Sequence, residues 1–231
     1  MLEKNLFIFG CSGVGKSIID SITRTKLTSY KKIIFVDINT DYKDKSFYGC
    51  PIVMQSELTY SDTHGHDAIF AFYKPEDILD RRDEIIVITN RLNLNLVTII
   101  DPTAVISPTA QIGVGCYIAP CVVLDSDSKI SDNSIILFHT IISREVQISA
   151  SCFISASCTI KGGVRIHKSC YIGANSSIVK DIFEPVFVNA MTFVNREIIV
   201  PSIIYNKQDL IDIKTSENEQ RTKKLLKRLN G

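Results

Sequence analysis

The sequence predicts two joined folds, an α/β Rossmann-like domain followed by a parallel β-helix of hexapeptide repeats. Three observations carry this. An aliphatic residue recurs every six positions from Ile100 to Ile178, and a small or β-branched residue follows each of them by four. The first hundred residues instead alternate short apolar runs with glycine-rich and polar stretches, the order expected of strands and helices around a parallel sheet.

The repeat is the stronger signal. Its aliphatic series runs Ile100, Ile106, Ile112, Ile118, Leu124, Ile130 and onward without a break to Ile178. The companion series runs Ala104, Ala110, Cys116, Val122, Ser128, Ser134 and onward to Ser176. One hexad cannot bury its apolar residue alone, but stacked hexads form a continuous interior column. Each buried Ile is worth roughly 1.5–3 kcal/mol, enough for the column to hold the region together. The same register absorbs Cys116, Cys152, Cys158 and Cys170 as small interior residues rather than ligands or nucleophiles.

In chain order, Leu6–Gly10 reads as a buried strand, followed by a glycine-rich turn and a helix from about Gly15 to Thr25. Lys32–Asp37 is a second strand ending in an acid, and further apolar runs stand at 51–53, 68–72 and 97–100. Residues 75–93 read as helical. The hexad fails at Glu184-Pro185, and the tail from Asn206 is polar, with Arg221, Lys223, Lys224, Lys227 and Arg228 forming a solvated basic terminal helix. The expected organisation is therefore 1–98, 99–183 and a C-terminal extension over 184–231.

Composition narrows the classes. A net charge of +1 with 22% charged residues gives no bulk attraction to nucleic acid. No apolar run is long enough to span a bilayer, and the N-terminus lacks the layout of a signal peptide. Seven cysteines without a CxxC fit a reduced, cytoplasmic setting. His64 and His66 have no third ligand near them in sequence, so no metal site is expected.

The stretch Gly10-Cys11-Ser12-Gly13-Val14-Gly15-Lys16-Ser17 matches two motifs. As G-x-x-x-x-G-K-S it is a phosphate-binding loop of a nucleotide hydrolase. As G-x-x-G-x-G between strand and helix, with Asp37 some twenty residues on, it is a Rossmann turn. Both place anions at a helix N-terminus, and a turn that binds nothing is the third reading. The short α/β region and the lack of a second magnesium-binding acid favour a nucleotide-activated compound over hydrolysis.

A small Rossmann-like domain ahead of a hexad helix resembles the NeuD/PglD-like sugar O- and N-acetyltransferases, over roughly residues 5–182. The resemblance implies a left-handed helix, a homotrimer, an NDP-sugar on the first domain and acetyl-CoA on the helix, in surface polysaccharide or glycan biosynthesis. The family's Gly-x-Gly-Gly-His-Gly turn matches Gly10 to Gly15, with Ser12 for a glycine and Val14 for the histidine. Its strand-end acid matches Asp37, followed by Ile38, and its Gly-x-Pro matches Gly49-Cys50-Pro51. These imply a sugar-nucleotide site of Gly10, Gly13, Val14, Gly15, Asp37, Ile38 and Gly49. Asp101-Pro102-Thr103-Ala104 resembles the family's His-Pro-Ser-Ala.

The catalytic stretch of the family matches Ile136 to Glu145 in spacing but not in chemistry. Arg144 falls on the histidine that serves as general base, Glu145 on its supporting acid and Leu137 on an asparagine. Arginine stays protonated and cannot accept a proton. It can bind an anion or stabilise an oxyanion, which leaves Glu145 and His139 as the possible proton acceptors. Phe153, Gly162, Gly163, Gly173 and Ala174 are the positions implied for the coenzyme. The leading expectation is acyl transfer from acyl-CoA, chiefly acetyl, to an amino or hydroxyl group of a nucleotide-activated or sialic-acid-like sugar. A non-catalytic homologue that binds a nucleotide sugar is the alternative, and a nucleotide hydrolase the second.

Overall fold

The computed structural model describes residues 4–25, 30–71 and 87–199, together with the strand 202–204. In the first domain, β1 (Lys4–Phe9), β2 (Tyr30–Asp37), β3 (Ser46–Phe47), β4 (Cys50–Met54), β5 (Asp67–Phe70) and β6 (Asn95–Leu96) form a six-stranded sheet. Its order is β3-β4-β2-β1-β5-β6, parallel throughout except for the β3–β4 hairpin. The unbroken apolar run of β1 is explained by burial on both faces. Leu6 and Ile8 pack on Val14, Ile18 and Ile22 of helix α1 (Gly13–Thr25), while Phe7 and Phe9 face Phe70, Ile88 and Leu92 on the other side. Of the helix expected over 75–93, residues 87–92 are helical and 72–86 lie outside the described residues.

The solenoid begins at Ile99–Ile100 and folds as the hexad predicts. Two-residue strands make three faces. The first stacks Ile99–Ile100, Tyr117–Ile118, Ile135–Ile136, Phe153–Ile154 and Tyr171–Ile172, the second starts at Val105–Ile106 and the third at Gln111–Ile112. Partners lie eighteen residues apart, as in Tyr117↔Ile135 and Ile118↔Ile136. The aliphatic series from Ile118 to Ile178 is buried throughout.

Where the companion residue carries a hydroxyl or thiol, it also makes a hydrogen bond. Thr140 Oγ1 donates to Ser155 O (2.8 Å), Cys152 Sγ to His167 O (3.1 Å) and Cys158 Sγ to Gly173 O (3.2 Å). A small hydroxyl or thiol there donates to a corner carbonyl of the next coil. Burial pushes the Cys116 and Cys158 thiols up to about 11, so these cysteines are packing residues and not thiolates.

The solenoid does not end at residue 183. Val186–Val188 and Ser202–Ile204 extend the first face, Phe193–Val194 extends the second, and bridges Ile166↔Ile182 and Ile182↔Ile198 extend the third. The expected extension over 184–231 therefore begins inside the stack. What fails at Glu184-Pro185 is the period: each coil here loses two residues on its third side, so Ile172 pairs with Val188 and Ile178 with Val194. The Asp181 carboxylate repairs the shortened side by accepting from the Arg165 backbone N–H (2.9 Å) and Nε (3.0 Å). The basic cluster from Arg221 onward lies outside the described residues.

Candidate functional site

Two loops, at the carboxyl ends of β1 and β2, converge, the place where open α/β sheets bind ligands. Gly10 adopts φ 110° and donates to Val36 O (2.8 Å), a conformation open only to glycine. Gly15 sits so close to β2 that a Cβ would lie 2.6 Å from the Phe35 ring. Ser12 donates to Ala71 O (2.6 Å) and accepts the Gly15 N–H (3.2 Å). Asp37 accepts the Cys11 N–H at Oδ2 (2.7 Å), and at Oδ1 the Ile38 (2.8 Å) and Asn39 (2.9 Å) N–H groups. Asp37 therefore ties two loops together. Burial, with the Asp37 charge beside it, pushes the Cys11 thiol up to about 12.

The remaining predicted residues divide. Gly13 and Ile38 are exposed on this rim, but Gly49, which closes the β3–β4 turn at φ 77°, lies away from it at the amino end of β4, because β4 runs parallel to β2 and only its last residue, Met54, pairs with Asp37. Val14 is buried against the sheet, so its side chain is not presented to a ligand on this rim. Helix α1 already starts at Gly13, leaving too little chain between strand and helix to wrap a phosphate as a hydrolase loop does. Lys16 lies within that helix, its Nζ 5.0 Å from the centre of the Phe47 ring and 5.7 Å from that of Tyr48. Tyr48 in turn donates to Asp20 (2.8 Å). The contacts of Ser12 with Ala71 and of Lys16 with Tyr48 were not legible, because they join segments distant in sequence.

On the solenoid the predicted residues occupy two different edges. Arg144 and Glu145 stand between the second and third faces, stacked on Gly162 and Gly163. The Gly163 N–H donates to Arg144 O (3.0 Å), and a Cβ at Gly162 would lie 3.5 Å from Arg144 Cγ. The Ser126 N–H, together with its hydroxyl and the Arg144 N–H and guanidinium, holds the nearby Asp125 carboxyl below the usual carboxylate range. His139 stands between the first and second faces, the edge that carries Ala174 and Met191. Glu145 and His139 are both corner residues in the left-handed region at φ 60°, and both are exposed. At roughly 3.3 Å per extended residue, His139 is on the order of 15 Å from Arg144 within one chain.

Two implied coenzyme positions are packed. Phe153 is buried in an aromatic ladder, 5.2 Å from Tyr171, which is 4.9 Å from Phe187. Gly173 is buried where a Cβ would lie 2.6 Å from the Asn189 backbone carbon, so its glycine serves the contact between coils. Among the described residues, no group of three or more His, Cys, Asp or Glu could hold a metal. His66 Nδ1 accepts the Asn5 N–H (3.2 Å).

These elements define a two-domain chain in which a Rossmann-like domain with a glycine turn is packed on a hexapeptide solenoid. Residues 5–72 match the family model of the PglD N-terminal domain. Among solved structures, the acetyltransferase domain of PglB from Neisseria gonorrhoeae superimposes with a TM-score of 0.72 at 22% identity, covering 87% of this chain and 96% of that one. PerB from Caulobacter crescentus, in complex with CoA and GDP-perosamine, gives 0.68 at 21% identity over 86% and 93%. WeeI from Acinetobacter baumannii gives 0.57 at 16% identity over 88% and 98%. No curated protein matches the sequence. The match over the first domain and the shared fold bear out the resemblance to the NeuD/PglD-like sugar acetyltransferases.

Proposed function

We propose that the protein transfers an acetyl group from acetyl-CoA to a nucleotide-activated amino sugar, for surface polysaccharide or glycan assembly in the cytoplasm, where both substrates are made. The observation that carries this is a PglD N-terminal domain joined in one chain to a hexapeptide solenoid. The same overall fold holds acetyl coenzyme A in a PglB acetyltransferase domain, and CoA with GDP-perosamine in PerB. Gly10, Gly13, Gly15, Asp37 and Ile38 frame the nucleotide. Gly162 and Gly163 leave the second–third edge low enough for a thin coenzyme to lie beside Arg144 and Glu145.

In this reading the acceptor attacks the thioester carbonyl, a tetrahedral oxyanion forms, and the CoA thiolate leaves as the acceptor gives up a proton. Arg144 stabilises the oxyanion or holds an anionic substrate group. Glu145 and His139 are the candidate proton acceptors. They lie on the two edges that border the second face, and Val105, Ile141 and Phe193 stand exposed on that face. Homotrimer formation across it would cover this apolar surface and bring edges of different copies together.

Free-thiol release is the test, with acetyl-CoA and a panel of nucleotide-linked amino sugars. Release with at least one acceptor is expected. Tight sugar-nucleotide binding without release from any acceptor would overturn transfer in favour of a non-catalytic binder, the reading that arginine at the base position supports.

A further inference from the structure

The two halves are joined by a buried polar latch that neither site uses. Asp101, the first residue after the opening solenoid strand, is 1% exposed and faces the last turns of helix α1. Its Oδ2 accepts from Ser21 Oγ (2.7 Å) and from Arg24 Nε (2.9 Å) and Nη2 (2.6 Å). Its Oδ1 accepts the Thr103 N–H (2.9 Å) and hydroxyl (2.6 Å). Because the Ser21 hydroxyl donates to Asp101, the Tyr117 hydroxyl, 3.0 Å away, must donate to Ser21. Tyr117 is fully buried on the first face. Burial alone would push the Asp101 carboxyl up, but the hydrogen bonds from Thr103, Ser21 and Arg24 outweigh it and hold it at about 2. The latch therefore stays charged throughout the working pH range.

The other end of α1 is Gly13, in the turn assigned to the sugar nucleotide. From Gly13 to the latch residues Ser21 and Arg24 the helix runs about 12–17 Å at 1.5 Å per residue, so a tilt of roughly 10° about the latch carries that turn about 2–3 Å. Misplacement of about 1 Å can cost a bimolecular transfer about a hundredfold. We propose that Asp101, with Arg24, Ser21 and Tyr117, is a positioning device that fixes the nucleotide-binding turn at a set distance from the solenoid edge. The inference rests on the acyl-transfer reading. It predicts that the latch governs turnover and not the affinity of either substrate.

The test uses the full chain as Asp101→Asn, Arg24→Met and the conservative Arg24→Lys. Calorimetry gives the affinities for the nucleoside diphosphate sugar and for CoA, and turnover is counted per titrated binding site. In Asp101→Asn and Arg24→Met, kcat falls about tenfold or more while both affinities stay within about twofold, and Arg24→Lys keeps most of the turnover. Unchanged kcat overturns the proposal, as does a joint loss of kcat and both affinities, which marks a merely structural tie. Amide exchange without ligands decides the mechanical part independently of activity. Exchange over residues 13–25 quickens in Asp101→Asn while the coils from 135 to 178 keep their rates, and unaltered exchange over 13–25 refutes the latch. If the native chain releases no thiol with any acceptor, the acyl-transfer reading fails, and the exchange result still judges the latch.

Discussion

The solenoid and the α/β domain encode their functional positions in opposite ways. In the solenoid, contacts run between residues eighteen apart and the period gives each residue an address, so Arg144 must lie on Gly162. In the α/β domain the ties are irregular: Cys11 reaches Asp37, Ser12 reaches Ala71 and Tyr48 reaches Asp20. The first region is readable from a repeat, and the second only from its closed sheet. An address is still not an exposure. Phe153 and Gly173 have the coordinates that the hexad assigns, yet neighbouring coils and side chains bury both.

The largest effect should come from breaking the period itself. Ile142→Ala removes a fully buried column residue and is expected to cost about 2–5 kcal/mol in denaturant unfolding. Replacing the corner neighbour Arg144 should leave stability almost unchanged, and an equal loss from both would remove the distinction between column and edge. Next come the two edges. If one of Glu145 and His139 is the base, Glu145→Gln and His139→Ala should differ on the order of 10²-fold in kcat. Equal, small effects would leave neither edge as the proton acceptor.

The join between the regions predicts an acid-sensitive stability. Asp101 titrates at about 2 when folded, against 3.8 ordinarily, so the unfolded chain binds its proton first. The resulting stabilisation of about 2 kcal/mol is present above pH ~4 and is lost as pH falls through ~2. Unfolding free energy followed against pH across that window should fall more steeply for the native chain than for Asp101→Asn, and matching slopes would remove the buried latch. The smallest effect concerns the left-handed corners. His139→Asn places a residue at ease with φ 60° and should stabilise by about 0.5–1 kcal/mol, measured as a small rise in Tm.

By itself the sequence determined the solenoid, its interior column, the cysteines that pack within it, and the strand–turn–helix that opens the chain. Each of these depends on local spacing, and spacing is what a linear sequence records. Only the tertiary structure decided that the solenoid continues past residue 183, because Asp181 repairs coils of sixteen residues that no hexad count would follow. It also buried Val14 of α1 against the sheet and turned Asp37 toward backbone N–H groups of two loops. The latch at Asp101 belongs to the same group. Its partners Ser21 and Arg24 lie eighty and seventy-seven residues away, and only packing the two domains together closes that distance.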